Sequence, residues 1–320
     1  TLNVGSAGKA DFGVAVDLSE ATAKVENGGE LTLTGETSIK DLQNDGSTQV
    51  NGNLSIGAAT SGAGSLAVTG NLTLTGDTNA FGSLNVTGSV NSAGTINLTG
   101  AADTESSIGT LSGASITSTN AHKLTLTGAS SMMSNLSLAE GSTLTLASGA
   151  ALTVDSVSGG RIDVTLADGL NATSSQLTLG GLTSGATINF TDATKDTFDT
   201  LFAAGASSVV LAQLTSGAQI DGSLLLDGQT SLATSDGNLY KVVVGTNSIY
   251  VYYAHSGLIW DSAGASESWQ LAGAWGGDSA APTAGDNVVF NGQGSDTVVL
   301  GNGAVANHVY IESEPGDKIY

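Results

Sequence analysis

Carboxylates that could do chemistry gather in one stretch of the sequence. Asp155, Asp163 and Asp168 lie near one another, and Arg161, the only arginine of the chain, lies among them. A glycoside hydrolase needs two carboxylates at a fixed separation, and a polysaccharide lyase needs a base beside a cation that stabilises the enolate. Acids are scattered through the whole sequence, however, and aromatic residues that could stack on sugars are almost absent before residue 190. We therefore predict surface acids here and no catalytic residues.

A second candidate is a short glycine-rich motif near the end of the chain. Residues 291–299 read NGQGSDTVV and fit the calcium-binding nonapeptide G-G-x-G-x-D-x-U-x except at the first position. Calcium in such repeats takes six or more oxygen ligands from successive stacked turns. The chain has only this one copy, which contains Asp296. We therefore predict a plain turn at this motif, and no metal site and no cofactor.

The three histidines offer little as ligands. His122, His255 and His308 are isolated, and none has another histidine or a paired acid at the spacing of a metal site. We predict surface or corner positions for all three. The pair Met132 and Met133 is interpreted as packing.

The composition limits the kinds of partner that the protein can bind and indicates where it works. The chain of 320 residues carries 29 acidic and 8 basic residues, with a formal net charge of −21. This charge disfavours nucleic acid and anionic membranes, because few cations could neutralise phosphates. Cysteine is absent, which excludes disulfides, and no apolar run is long enough to span a bilayer. The chain opens without a signal peptide on a strand-like segment, so we expect a piece of a longer, exported protein.

A repeated sequence pattern predicts the strands that would hold these candidate residues in place. Residues 64–100 carry four triplets of apolar, polar and apolar residues, spaced 6, 12 and 12 positions apart, with glycine at the corners between them. These triplets are Leu66-Ala67-Val68, Leu72-Thr73-Leu74, Leu84-Asn85-Val86 and Ile96-Asn97-Leu98. Such alternation is typical of a short strand with one buried face. Repeats this short cannot bury their apolar face alone and must stack on their neighbours.

Copies of the triplet continue through residues 1–190 at irregular spacing. The pattern predicts an all-β protein, a right-handed parallel β-helix (β-solenoid) with about 20 residues per coil and corners of unequal length. Leu74 is predicted to lie inside the solenoid, and Thr73 is predicted to point outward.

The pattern changes after residue 190. Asp192 as N-cap, Phe198 and Phe202 on one face and Gly205 as stop predict a short helix. Apolar runs follow, and residues 245–248 read GTNS between two of them, which is typical of a β-hairpin. We predict that 191–254 form a C-terminal antiparallel β cap over the open end of the solenoid.

The last segment, 255–320, is predicted to start a further β-strand repeat module. It contains Trp260, Trp269 and Trp275, which we interpret as core residues, although a carbohydrate-binding platform is the alternative. The order W…W…W…P…GDNVVF, ending at Phe290, followed by two strand-like runs, resembles the opening of an autotransporter-associated β-strand repeat unit. The resemblance implies a β-helical passenger of a Gram-negative bacterium, exported through the outer membrane to the cell surface. Such passengers often end in an outer-membrane barrel, and we expect any membrane contact only through a part of the protein outside these 320 residues.

Together these observations predict a non-catalytic extracellular passenger fragment that acts as a structural stalk or adhesin. Its expected partners are glycans or proteins of a host or neighbouring-cell surface, and not nucleic acid. Two alternatives remain open: a polysaccharide-active β-helix enzyme, and a filament subunit that associates with itself through its solenoid ends. A groove that collects several acids with a basic group would favour the enzyme, whereas a surface of Ser, Thr and Asn would favour the passenger.

Overall fold

The computed structural model confirms an all-β fold. It describes residues 1–128, 131–166, 177–191, 195–204, 206, 208–233, 239–255, 257–260, 267–271, 275, 281–290, 298–299, 304–306 and 308–311. Of these residues, 62% lie in strands and 3% in helix. The described residues form two compact units. The solenoid unit contains those up to 191 and 211–228, and the second unit contains 195–210 and those from 229 onward.

The strands are short because the backbone turns a corner every few residues. In chain order they are β1 (Leu2–Val4), β2 (Lys9–Phe12), β3 (Asp17–Val25), β4 (Glu30–Thr34), β5 (Thr37–Asn44), β6 (Ser47–Asn51), β7 (Leu54–Ile56), β8 (Thr60–Ser61), β9 (Ser65–Val68), β10 (Leu72–Leu74), β11 (Thr78–Phe81), β12 (Ser83–Ser92), β13 (Thr95–Leu98), β14 (Glu105–Ser112), β15 (Ser115–Ser118), β16 (Lys123–Leu126), β17 (Ser131–Ser137), β18 (Thr143–Leu146), β19 (Leu152–Ser158), β20 (Arg161–Thr165), β21 (Leu177–Leu182), β22 (Thr187–Thr191), helix α1 (Lys195–Ala203), β23 (Val209–Ile220) and β24 (Ser223–Leu226). The remaining strands are β25 (Ser231–Ala233), β26 (Leu239–Val244), β27 (Ser248–Ala254), β28 (Leu258–Ile259), β29 (Glu267–Ser268), β30 (Asn287–Phe290), β31 (Val298–Val299) and β32 (His308–Ile311).

Parallel pairing arranges the solenoid strands into three faces. Face A is the ladder β2, β4, β6, β9, β12, β14, β16, β18, β20, β22 and β24. Face B is the ladder β3, β5, β7, β10, β12, β14, β17, β19, β21 and β23. Face C is the ladder β1, β3, β5, β8, β11, β13, β15, β17, β19, β21 and β23. The longer strands bend and contribute to two faces.

The sequence repeat and the coil repeat are different lengths. Leu66 pairs with Leu84 on face A, whereas Leu72 pairs on face B and Ile96 on face C. Hydrogen bonds between neighbouring coils in this region connect residues 18 apart, and further along the chain residues 20 apart. Six residues therefore advance the chain by one face, and about three times as many advance it by one coil.

The interior is filled by the apolar residues of the triplets. Leu72 and Leu74 are buried on either side of the half-buried Thr73, and Leu74 pairs with Ile56 of the preceding coil. Each such side chain contributes roughly 1.5–3 kcal/mol by leaving water. Because parallel pairing repeats the same register in coil after coil, the aliphatic side chains stack into columns, which buried polar residues such as Ser92, the partner of Leu74 in the next coil, interrupt. This confirms the predicted inside and outside positions of Leu74 and Thr73.

Parallel pairing continues beyond residue 190, where the sequence predicted antiparallel strands. Gln213 of β23 pairs in parallel with Thr178, and Leu224 of β24 pairs in parallel with Ile188. The parallel ladder of face A thus extends to Leu226. Antiparallel pairing begins only with β25, since β25, β26 and β27 pair in that order.

The second unit contains the predicted helix and hairpin. Phe198 of α1 is buried and lies 5.4 Å from the ring of Tyr240, while Phe202 stacks on the same ring at 5.3 Å. The β26–β27 turn is closed by a 2.8 Å hydrogen bond from the Gly245 amide to the Ser248 carbonyl. The predicted N-cap and stop residues lie outside the described residues. No helix in the described ranges is long and apolar enough to cross a membrane.

The last strands of the second unit are again parallel. The strand β30 pairs in parallel with β28 and with β32, and β29 pairs in parallel with β31. Their core is formed by the three tryptophans together with Val288. A parallel ladder again requires long connections between paired strands, as a coiled chain provides.

Candidate functional site

The structure separates the acids that the sequence placed together. Asp163 lies on face A, at an outward position between two buried residues of β20. Asp155 is exposed in β19, between the residues that pair on face B and those that pair on face C. Asp168 lies outside the described residues. The described pair Asp155 and Asp163 therefore does not form a two-carboxylate site.

Face A instead carries a shallow groove that crosses several coils, which we name the face-A groove. It encloses about 510 Å³. Its lining consists of Asn85, Glu105, Ser106, Ser107, Lys123, Thr125, Thr143, Thr145 and Asp163. Hydroxyl and amide groups dominate this lining, and each hydroxyl can both donate and accept hydrogen bonds.

Strand register aligns most of the groove residues, together with the neighbouring Arg161, in two columns. Glu105, Lys123, Thr143 and Arg161 occupy equivalent positions of β14, β16, β18 and β20. The second column, two residues further along each strand, contains Ser107, Thr125, Thr145 and Asp163. Both columns point outward because side chains alternate between the two sides of a strand. The groove is therefore a direct consequence of coil stacking.

One end of the groove is acidic in spite of Lys123. The Lys123 ammonium lies 2.9 Å from a carboxylate oxygen of Asp103. The hydrogen bond and charge of Asp103, with a smaller contribution from Glu105, raise the pKa of Lys123. Lys123 therefore stays protonated and paired, and the two acids leave this end with a net negative charge.

Next to the other end, where Asp163 lies, a chain of hydrogen bonds holds Arg161 in place. Its Nε donates to Asp163 Oδ1 at 2.5 Å, and the same oxygen accepts from Asn189 Nδ2 at 3.0 Å. Asn189 is only 1% exposed, and its own Oδ1 accepts the Gly228 amide at 2.7 Å. The orientation of Arg161 is thus fixed through Asp163 by a buried amide that occupies the equivalent outward position of the next coil.

The two carboxylates that line the groove, Glu105 and Asp163, are too far apart for glycoside hydrolysis. Glu105 and Asp163 lie three coils apart, which at about 4.8 Å per strand is roughly 14 Å. Hydrolases hold their two carboxyl groups roughly 5–9.5 Å apart. The groove does combine acids with a basic group, but its described geometry is that of a surface for hydrogen bonding.

The described histidines differ in their surroundings. His122 lies at a corner, as predicted, but it is 1% exposed and not on the surface. Its Nε2 is 2.8 Å from Ser106 Oγ, and burial lowers the pKa of its imidazole. His255 stacks edge-on against Tyr253 at 5.0 Å. The side chain of His308 lies outside the described residues.

The tryptophans are core residues, as the core interpretation predicted. Trp260, Trp269 and Trp275 are 2%, 4% and 0% exposed, and Trp275 Nε1 donates to the Trp269 carbonyl at 3.0 Å. Buried indoles cannot form a platform for sugars.

Met133 is buried as predicted, whereas Met132 is 61% exposed. The nonapeptide with Asp296 lies outside the described residues, apart from the backbone of β31.

Sequence reasoning missed Glu105, Lys123, Thr143 and Asn189. These residues are far apart along the chain, and only the coil register brings them to one face.

Among the described residues, no group of three or more His, Asp or Glu side chains could hold a metal ion. No protein-family model, curated protein or solved structure matches the chain.

Proposed function

We propose that this chain is a non-catalytic, extracellular β-solenoid of a bacterial surface or secreted protein, of the autotransporter passenger type. It holds an adhesive surface away from the cell and acts through hydrogen bonding rather than through chemistry. Its partners are glycans or proteins on neighbouring surfaces.

The observation that carries this proposal is the outer surface of the solenoid unit. Polar side chains at equivalent positions bond to each other from coil to coil. The backbone N–H of Asn71 donates to Asn53 Oδ1 at 2.9 Å, and both the backbone N–H and the Oγ of Ser89 donate to Asn71 Oδ1, at 2.9 and 3.0 Å. Ser156 Oγ donates to Asn135 Oδ1 at 2.6 Å. Such columns make a stiff surface that is rich in hydroxyl and amide groups.

Two further features support the proposal. The chain has no cysteine and few basic residues, so its surface depends little on ion pairs. Residues 260–290 carry the tryptophans and the GDNVVF segment that resemble an autotransporter-associated repeat. A parallel solenoid also suits a stalk, because each coil contacts only its neighbours and the array can be extended without a larger core.

Surface labelling tests this function directly. Antibodies raised against the purified chain are applied to intact and to lysed cells of the bacterium that carries the gene, with a cytoplasmic protein as control. We expect labelling of intact cells, removed by external protease, and retention of the purified chain on immobilised host-cell glycans or proteins. Labelling that appears only after lysis would contradict the proposal. Release of oligosaccharides from acidic or neutral polysaccharides by the purified chain would show an enzyme instead.

A further inference from the structure

We propose that the face-A groove, together with the adjoining cleft of Glu140, Thr143 and Arg161, binds a segment of an uncharged glycan, with the guanidinium of Arg161 as the anchoring donor. This inference rests on the proposed adhesive function and assigns it a site and a ligand class. It follows from three features: the free donors of Arg161, the hydroxyl lining of the groove, and the local charge.

Arg161 presents unused donors in a fixed orientation. Its Nε is occupied by Asp163, while its terminal Nη nitrogens have no hydrogen-bond partner among the described residues. The side chain is 44% exposed, so these nitrogens can be reached by a ligand. The buried Asn189 amide holds Asp163, and Asp163 holds the guanidinium. An arginine positioned in this way loses little side-chain freedom when a ligand binds.

The surroundings of Arg161 match a ligand rich in hydroxyl groups. Thr143 lines both the face-A groove and a neighbouring cleft that contains Arg161 and Glu140. Two adjacent hydroxyls of a sugar can accept from the guanidinium fork, and other hydroxyls can donate to carboxylate oxygens. Thr145 of the next column adds a group that donates and accepts. Serine and threonine hydroxyls suit a polar ligand better than the apolar side chains of a peptide.

Local charge selects an uncharged ligand over an acidic one. The groove and the adjoining cleft hold two cations, Lys123 and Arg161, which are each paired with an acid. Four carboxylates lie around them, namely Asp103, Glu105, Glu140 and Asp163. The whole chain carries −21 charges, so an acidic glycan or an acidic peptide would be repelled.

The groove extends across five strands, from Asn85 of β12 to Asp163 of β20. Four strand spacings of about 4.8 Å give roughly 19 Å, which accommodates several sugar units in an extended chain. No aromatic side chain lines the groove, so stacking adds nothing to the affinity. We expect dissociation constants on the order of 1 mM for one groove.

Ligand-observed NMR on the full chain tests the proposal. The probes are neutral hexasaccharides of cellulose, mannan and starch, with hexagalacturonate and a hexaglutamate peptide as acidic alternatives. We expect saturation transfer to at least one neutral probe, and weaker or no transfer to the acidic ones. Arg161→Met should reduce the affinity by about tenfold or more, as expected for lost hydrogen bonds to a charged group. Arg161→Lys, which keeps the charge but not the fork, should also bind more weakly.

Lys40→Met is the matched control, because it removes the same charge from an exposed position of β5 outside face A. Urea denaturation verifies that all variants fold. Equal binding by Arg161→Met and Lys40→Met would overturn the site, and preferential binding of hexagalacturonate or hexaglutamate would overturn the ligand class. Absence of transfer to every neutral probe would overturn both. None of these results changes the surface labelling of cells, so the site and the proposed function fail independently.

Discussion

At the scale of single residues, the alternation between interior and exterior can be tested within one triplet. Leu74→Asp places a carboxylate in the interior, with the aliphatic Ile56 and the buried Ser92 as strand neighbours and no cation beside it. We expect a loss of several kcal/mol in the free energy of unfolding, because a buried charge without a partner is costly. Denaturant unfolding followed by circular dichroism measures the loss.

The matched variant is Thr73→Asp, one residue away and half-exposed. It should change the unfolding free energy by no more than about 0.5 kcal/mol. Leu74→Ala leaves a cavity without adding a charge, so it measures the cavity effect alone. We expect it to lower the free energy of unfolding by about 2–5 kcal/mol. Equal midpoints for the two Asp variants would show that the register is shifted by one residue.

His122 makes stability depend on pH. Burial lowers the pKa of its imidazole in the folded protein below the ordinary 6.5. Well above pH 6.5 the ring is neutral in both states and its contribution to stability is complete. As the pH falls below this value, the unfolded chain binds a proton that the folded chain does not, so stability decreases. The slope is at most about 1.4 kcal/mol per pH unit.

The test compares urea midpoints of the wild-type chain and His122→Gln from about pH 8 to about pH 5. Glutamine can retain the hydrogen bond to Ser106 without titrating, so the variant should lose less stability on acidification. Thr73→Ser, which changes no titratable group, should keep the wild-type slope. Parallel pH profiles for the wild type and His122→Gln would refute the role of His122.

At the scale of elements, the corners depend on close approach between coils. A Cβ at Gly76 would collide with the backbone carbonyl of Ala58 in the preceding coil. Because that carbonyl belongs to a stacked corner, it cannot move independently. We expect Gly76→Ala to cost about 1–3 kcal/mol in thermal or denaturant unfolding.

Gly57 provides the comparison, since it also lies at a corner. The nearest atom to a Cβ there is the Ile39 carbonyl oxygen, at an ordinary 3.8 Å. Gly57→Ala should therefore be neutral, or stabilising by up to about 1 kcal/mol through the reduced entropy of the unfolded chain. A Gly76→Ala variant as stable as Gly57→Ala would mean that the coils are not this closely spaced.

At the scale of the whole molecule, far-UV circular dichroism should show β-structure with very little helix. The described residues contain 3% helix, all of it in α1. A helical fraction of about one third, which is usual for globular proteins, would contradict the solenoid.

Calcium should have no effect on the stability of the whole chain. The single nonapeptide at 291–299 lacks the stacked copies that would complete a coordination shell. We expect the same melting temperature with excess chelator and with added calcium. A chelator-induced decrease of several degrees, reversed by calcium, would show that the motif binds the ion. Replacing Asp296 by Asn would then abolish the difference.

The sequence alone determined the strands and their buried sides. Alternation with a period of two residues is local, so triplets such as Leu72-Thr73-Leu74 reveal which side chains avoid water. The same holds for the hairpin at 245–248, since turn chemistry depends on a few adjacent residues. The buried tryptophans follow from their size and apolar surface.

Only the tertiary structure decided which triplets stack. Which strands pair between coils depends on the lengths of the three corners in each coil. These lengths vary by a few residues, and the sequence does not reveal which distant residues they bring together. For this reason Leu66 pairs with Leu84 and not with Leu72, and β23 and β24 continue the parallel ladders. The same register brings Asp163, the partner of Arg161, next to the buried Asn189 of the following coil, and it places His122 inside. Sites built across coils are therefore visible only after folding, because their residues share no local pattern.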